Sequence, residues 1–393
     1  MGALLLSLIY LAFISLGLPD SLVGSAWPIM HAEMGVPVAF AGVLSTIISL
    51  ATILSSLFCD RLTRKFGAGM ITAVSTALTA VALLGYSCSD QFWMLIIWSI
   101  PYGLGAGAVD AVLNNYVALH YKPQHMSWLH CFWGVGASIS PYIMSFSLLN
   151  IGDWNAGFFL VFAIQMLLSV VLFVNLPLWK RGTNKGATLE DEEKMQAMAP
   201  LSFTEILKIP GALPCFLLFF CYCSLEVCAA LWASSYLVDV HNITPETASA
   251  FASLFYIGIT LGRAINGFLA MKFQDKTLIW AGMSVITVGI VLLMTPISVV
   301  ALAGFVVMGL GCAPIYPCII HMTPDLFGKE RSQGVLGVQM AAAYLGFCIV
   351  PPIVGWIADG FGIFLLPVCL AVFLLVSIWM HAVVIKSVKK RTI

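Results

Sequence analysis

Gly103-Leu104-Gly105-Ala106-Gly107-Ala108-Val109-Asp110-Ala111-Val112-Leu113-Asn114 places one carboxylate and one carboxamide in an otherwise apolar, glycine-rich run. A charged side chain at the centre of a bilayer costs at least about 2.5–3.5 kcal/mol on insertion scales, so such residues face a polar interior and work there. Asp20 and Glu226 sit in runs of the same kind, and almost no basic residue is placed to neutralise the three. A carboxyl group buried without a partner tends to hold a proton, because desolvation disfavours its charged form. Asp20, Asp110 and Glu226 are therefore the candidates for proton coupling. The glycines read as packing and not as a nucleotide loop, since no strand precedes them.

The wider composition agrees. Of 393 residues 61% are hydrophobic and 9% charged, whereas a water-soluble domain averages roughly 25% charged residues. Such a chain could not cover a water-facing surface. Net charge is zero and no basic arm is present, so nothing points to nucleic acid. The first apolar segment lacks a basic leader and exceeds the hydrophobic stretch of a signal peptide, so it reads as a retained helix. The eleven cysteines fall almost wholly inside apolar runs without zinc-type pairing, and read as small buried hydrophobes. No metal site or cofactor is expected, and no enzymatic constellation appears.

Runs of about 20 apolar residues mark membrane-spanning helices. Twelve are predicted, at 3–26, 39–58, 69–88, 92–116, 127–149, 156–178, 213–237, 247–271, 277–296, 299–322, 332–357 and 362–385. The one long polar connection, with Glu190-Asp191-Glu192-Glu193, divides them six and six. The expected organisation is a bundle over 1–179, a cytoplasmic linker over 180–211 and a second bundle over 212–393. Lysine and arginine fall in alternate loops and the C-terminal tail, apart from Arg263 inside the eighth span, while the opposite loops carry only acids. The positive-inside rule then puts both termini in the cytoplasm. A multi-pass protein of the cell membrane, surrounded by lipid and functional as a monomer, is the expectation.

The two halves repeat. Gly103-Leu104-Gly105 recurs as Gly309-Leu310-Gly311, and the same offset of 206 carries Asp20 to Glu226. Two related six-helix halves imply a solute site near the midplane at their interface, around a central cavity, with alternating access by rocking.

Between the second and third spans lies Ser56-Leu57-Phe58-Cys59-Asp60-Arg61-Leu62-Thr63-Arg64-Lys65. It resembles the loop signature Gly-x-x-x-Asp-Arg-x-Gly-Arg-Arg/Lys of the major facilitator superfamily, with Ser56 and Thr63 in place of the glycines. The resemblance implies an all-α membrane fold of twelve transmembrane helices in two pseudo-symmetric bundles, and a charge cluster (Asp60, Arg61, Arg64, Lys65) that acts as a conformational latch. A cytoplasmic basic anchor is the simpler alternative. The run from Gly103 to Asn114 and Leu129-His130-Cys131-Phe132-Trp133-Gly134-Val135-Gly136-Ala137 further resemble the fucose permease branch of sugar–proton symporters. That branch uses an acid in the first helix and one in the fourth, which carry over to Asp20 and Asp110; Glu226 has no counterpart there.

Asp110 and Asn114 are four apart, hence on one face of a helix. Protonation would turn Asp110 from acceptor to donor-plus-acceptor, a direct way to couple a proton to solute hydroxyls. Asn114 either binds solute or only fixes packing. His130 and Trp133 are three apart and are expected to face one cavity; His130 either relays protons or binds a nearby carbonyl. Trp27, Trp133, Trp232 and Tyr236 offer flat faces for a sugar ring, or, for those near the outer ends, interfacial anchors. Gln339 is an expected solute hydrogen-bond partner. Pro19, before Asp20, loosens the first helix.

With no basic residue near the midplane to clamp an anion, the expected activity is proton-coupled symport of a small neutral solute, foremost a monosaccharide. Two rivals remain: a proton-driven exporter of lipophilic or cationic compounds, and sodium-coupled sugar uptake.

Overall fold

The computed structural model describes residues 2–36, 40–181, 201–243 and 245–389. Among these the secondary structure is helical throughout: α1 (Gly2–Asp20), α2 (Leu22–Glu33), α3 (Phe40–Phe66), α4 (Ala68–Ser87), α5 (Phe92–His120), α6 (Pro123–Asn150), α7 (Trp154–Val174) and the short α8 (Leu176–Arg181). After a five-residue helix α9 (Phe203–Leu207) come α10 (Ala212–His241), α11 (Pro245–Leu269), α12 (Asp275–Leu293), α13 (Ser298–Cys312), α14 (Ile315–Phe327), α15 (Lys329–Phe361) and α16 (Leu366–Lys389). Ten of the described helical stretches are long and apolar enough to cross a membrane. The polarity is inverted relative to a water-soluble protein. Leu54, Leu167, Val299 and Leu375 point outward, while Asp110, Asn114, Gln165 and Gln339 are buried. This is a multi-pass membrane architecture, and each predicted span corresponds to one helix or to a helix pair.

Three predicted spans are broken, the sixth near its end, at Asn175. The first splits at Ser21, immediately after Pro19-Asp20, and the tenth at Ala313-Pro314, between α13 and α14. Proline supplies no N–H and clashes with the preceding turn, which accounts for the interruptions of the first and tenth spans. Gly67 joins α3 to α4 alone, at φ 79°, a backbone conformation that only glycine adopts without strain.

The described residues fall into two compact units. One runs to Tyr121 and resumes at Leu129; the other comprises Lys122–Trp128 and the chain from Leu201 onward. Residues 182–200 of the expected linker lie outside the described residues.

In the first unit, α5 is wedged between α3 and α4. A methyl group on Gly103 would lie 2.3 Å from the Ile48 carbonyl oxygen, and one on Gly105 2.7 Å from that of Ser75. In the second unit, α13 is wedged in the same way between α11 and α12. A methyl on Gly309 would lie 2.4 Å from the Phe255 oxygen, and one on Gly311 2.7 Å from the Ile286 nitrogen. The repeated Gly-Leu-Gly thus performs the same packing twice, one glycine for each neighbour. Gln165 ties three helices of the first unit, accepting from Thr79 (2.8 Å) and donating to the Ser15 carbonyl (2.5 Å).

Candidate functional site

Asp20 is the last residue of α1, at the Ser21 break. Gly17, nearly one turn earlier, lets α6 approach so closely that a methyl there would lie 2.1 Å from the Trp133 carbonyl oxygen. Ser21 secures the break by donating to the Ala137 carbonyl of α6 at 2.7 Å. This crossing brings Trp133 to the acid: its indole Nε1 donates to Asp20 Oδ2 at 2.8 Å. From α5, the Tyr102 hydroxyl donates to Asp20 Oδ1, also at 2.8 Å. An indole N–H is a donor only, so Oδ2 serves as an acceptor here. The expectation of a buried Asp20 is corrected, because the residue is exposed.

Asp110 and Asn114 do share one face of α5, and both are buried. Asn114 Nδ2 donates to Asp110 Oδ1 (2.8 Å) and to the Asp110 carbonyl (3.0 Å). Its Oδ1 meets His130 Nε2 at 3.0 Å. With the amide oriented by Asp110, the bond to His130 requires a proton on Nε2. Phe13 of α1 sets its edge against the His130 ring, with centroids 5.4 Å apart. One turn of α6 therefore serves both acids: His130 reaches the Asn114–Asp110 pair of α5, and Trp133 reaches Asp20.

The second unit holds a different cluster. Glu226 of α10 accepts from the hydroxyl of Tyr222, one turn earlier on the same helix. The same hydroxyl lies 2.8 Å from the carbonyl oxygen of Cys312, the last residue of α13. Arg263 of α11 is buried and places Nη2 3.5 Å from Glu226 Oε1. This corrects the premise that no basic residue neutralises the acids or stands ready for an anion. Arg263 lies inside the predicted eighth span, and the helix packing turns its guanidinium inward toward Glu226.

Gln339, Trp232 and Tyr236 belong to the second unit and bond to partners outside the Glu226 cluster. Gln339 is wholly buried, accepting from Thr323 (2.9 Å) and pointing Nε2 at Cys215 Sγ (3.5 Å). It stands at the 206-residue counterpart of Trp133. Trp232 donates to the Pro351 carbonyl at 3.3 Å and borders a cleft of about 540 Å³ with Asp239 and Phe364. Tyr236 is buried and donates to the Leu293 carbonyl at 2.7 Å. Trp27 lies in α2, and its side chain falls outside the described residues.

The charge motif is placed differently from the expectation of a loop. Asp60, Arg61, Arg64 and Lys65 occupy the last turns of α3. At 27 residues this helix is roughly 40 Å long, longer than the ~30 Å hydrocarbon layer, so it continues past its apolar part. Asp60 Oδ1 pairs with Arg64 Nε at 2.9 Å. Arg61 lies over the Phe58 ring at 5.6 Å and Lys65 over Phe66 at 5.1 Å.

Sequence reasoning passed over Tyr102 and Tyr222, the hydroxyl donors to Asp20 and Glu226. Tyr222 carried a usable signal, standing four residues from Glu226 on one helix face. Tyr102 carried none, because its partner is 82 residues away.

Comparison with known proteins gives a consistent result. The sequence profile of the Major Facilitator Superfamily matches residues 9–241 and 215–392. Bypass of stop codon protein 6 of Saccharomyces cerevisiae is 23% identical over 388 residues, covering 90% of this chain and 77% of that protein. The glucose/mannose transporter GlcP of Bacillus subtilis is 22% identical over 300 residues, 75% of this chain and 73% of GlcP. A crystal structure of the E. coli fucose:proton symporter FucP superposes with a TM-score of 0.75 at 17% identity, over 96% of this chain and 98% of that one. The profile spans almost the entire sequence, the fold is that of a solved transporter, and the chain belongs to the Major Facilitator Superfamily.

Proposed function

We propose that this transporter couples an inward proton gradient to symport of a small neutral solute, foremost a monosaccharide, by alternating access. The observation that carries the reading is the pairing of two acids through one turn of α6. Asp20 is cradled by Tyr102 and Trp133, and Asp110 is linked through Asn114 to His130. Asp20, at the break of the first span, takes up the proton; Asp110 and Asn114 present the mixed acceptors and donors that sugar hydroxyls require. Trp133 supplies an aromatic face beside them. Support also comes from GlcP, named as a glucose/mannose transporter, and FucP, a fucose:proton symporter. Glu226 is a further coupling acid. Gln339, Trp232, Tyr236 and Trp27 are retained as proposed solute contacts of the second half and outer end, and Asp60, Arg61, Arg64 and Lys65 as the latch. The charge distribution supports cytoplasmic termini in a cell membrane, with the monomer as the working unit.

Uptake of a monosaccharide panel into proteoliposomes under an imposed pH gradient tests this. Wild type should accumulate at least one sugar, and Asp20→Asn and Asp110→Asn should lose gradient-driven accumulation. Equal accumulation in both variants, or full uptake on sodium without a proton gradient, would remove the reading. The buried Arg263 favours a second reading, in which the solute is a sugar acid whose carboxylate a guanidinium recognises. Adding sugar acids to the same panel separates the two.

A further inference from the structure

The Tyr222 hydroxyl faces two oxygens and owns one proton. Its neighbours are Glu226 Oε2 and the Cys312 carbonyl, and a carbonyl never donates. If Glu226 is ionised, two acceptors compete for a single hydrogen and one goes without. If Glu226 is protonated, the carboxyl donates to Tyr222 Oη and Tyr222 donates to Cys312, so every group is satisfied. We propose that Glu226 is a proton-binding site whose occupancy is read, through Tyr222, by the break between α13 and α14.

The position of the carbonyl gives the switch its consequence. The last four carbonyls of a helix have no intrahelical partner, and Cys312 ends α13. Pro314 follows and brings no N–H of its own. The tyrosine hydroxyl is thus a polar link between this break and α10, beside the packing of Phe219 of α10 on Tyr316 of α14 at 4.7 Å between ring centroids. Three groups of the cluster face Glu226: Tyr222 from its own helix, Arg263 from α11 and the Cys312 thiol from α13. Arg263 places its guanidinium 3.5 Å from the carboxylate, beyond the ~2.7–2.9 Å of a direct charge-assisted bond. Loss of the proton draws the tyrosine hydrogen to the carboxylate and leaves the Cys312 carbonyl without it. Gain of the proton restores the link. Protonation of one side chain therefore decides whether the Cys312 carbonyl at the bend keeps its hydrogen bond to α10.

The link to solute movement rests on the proton-symport reading above, whereas the titration of Glu226 does not. Infrared difference spectra between acid and alkaline pH, recorded on purified protein in lipid without solute, isolate the titration. Wild type should show a carboxylic-acid carbonyl band that is missing in Glu226→Gln. In Tyr222→Phe, where the acid has lost its acceptor, the band should move to the frequency of a weaker hydrogen bond. Glu226→Gln is close to isosteric and its amide can still donate to Tyr222, so folded protein is expected; thermal melting checks both variants. A Glu226→Gln spectrum that superimposes on wild type overturns the site. A band unmoved in Tyr222→Phe overturns the readout. Failure to transport any sugar would leave both spectral results standing.

Discussion

Gly17 and Gly136 face each other across α1 and α6 with no room for a side chain: a methyl on Gly17 would lie 2.1 Å from the Trp133 carbonyl oxygen, and one on Gly136 2.1 Å from that of Ile14. Both obstacles are backbone, so no rotamer change relieves them. Gly136→Val should force the helices apart, at a cost at or above the ~1–3 kcal/mol typical of overpacking. It should lower the melting temperature of the purified protein and also abolish uptake, because Trp133 would no longer reach Asp20. Wild-type melting in Gly136→Val would show that the crossing is not tight.

Trp133→Phe keeps the ring and removes the N–H that holds Asp20 Oδ2. Tyr102→Phe likewise removes the donor to Oδ1. A hydrogen bond to a charged group contributes about 1.5–3 kcal/mol, and about 1.4 kcal/mol is tenfold in an equilibrium. Each variant should therefore lose roughly tenfold or more in proton-driven accumulation while melting near wild type. Retained accumulation in both would separate the cradle from coupling.

His130→Ala should leave the Asn114 carbonyl buried without its Nε2 donor. Stranding a buried polar atom costs about 1–3 kcal/mol. A double-mutant cycle with Asn114→Ala, read by denaturation, should give a coupling of about 0.5–1.5 kcal/mol. Simple additivity would contradict the bond.

Arg64→Gln should destabilise the protein more than the combined Asp60→Asn/Arg64→Gln change. The single variant leaves the Asp60 carboxylate, itself buried, without its 2.9 Å partner. Breaking one side of a buried pair costs about 3–5 kcal/mol, while replacing both sides is often close to neutral. Melting temperatures in detergent decide the order.

Ser202 and Glu205 form a capping box at α9, the serine N–H and hydroxyl reaching the Glu205 carboxylate at 2.7 and 2.6 Å. These bonds hold the Glu205 carboxyl below its ordinary range. A carboxyl lowered on folding stabilises the helix above its unfolded-state value, and that contribution disappears as pH falls through the folded value. Hydrogen-exchange protection of Phe203–Leu207 should thus be level near neutrality and decline on acidification, with the pH dependence reduced in Ser202→Ala, which keeps only the backbone N–H bond to the carboxylate.

Most of the fold could be read from hydropathy, because a lipid-facing helix must be apolar over its whole crossing. The ends and interruptions were harder. Arg61, Arg64 and Lys65 look like a loop because they are polar, yet a helix is free to continue beyond the membrane, and α3 does so. Pro19 hinted at a bend without saying whether the helix stops, and the first span does break there, as the tenth does beside Pro314. For the candidate site, the Asp110–Asn114 bond was legible because spacing of four fixes it within one helix. The partners of Asp20 were only half legible, since Tyr102 belongs to a different helix and reads as ordinary core. Arg263 was misjudged for a similar reason: its sequence position gives depth along α11 but not the face from which it meets Glu226.

The glycine wedges of α5 have one further consequence. A helix whose backbone is seated against α3 at Gly103 and against α4 at Gly105 cannot slide or rotate independently of those neighbours. Asp110 and Asn114 ride on that same helix and inherit its immobility. A backbone displacement that carries them then moves α3, α4 and α5 together, and the Asp110–Asn114 spacing, internal to α5, is unaffected by it.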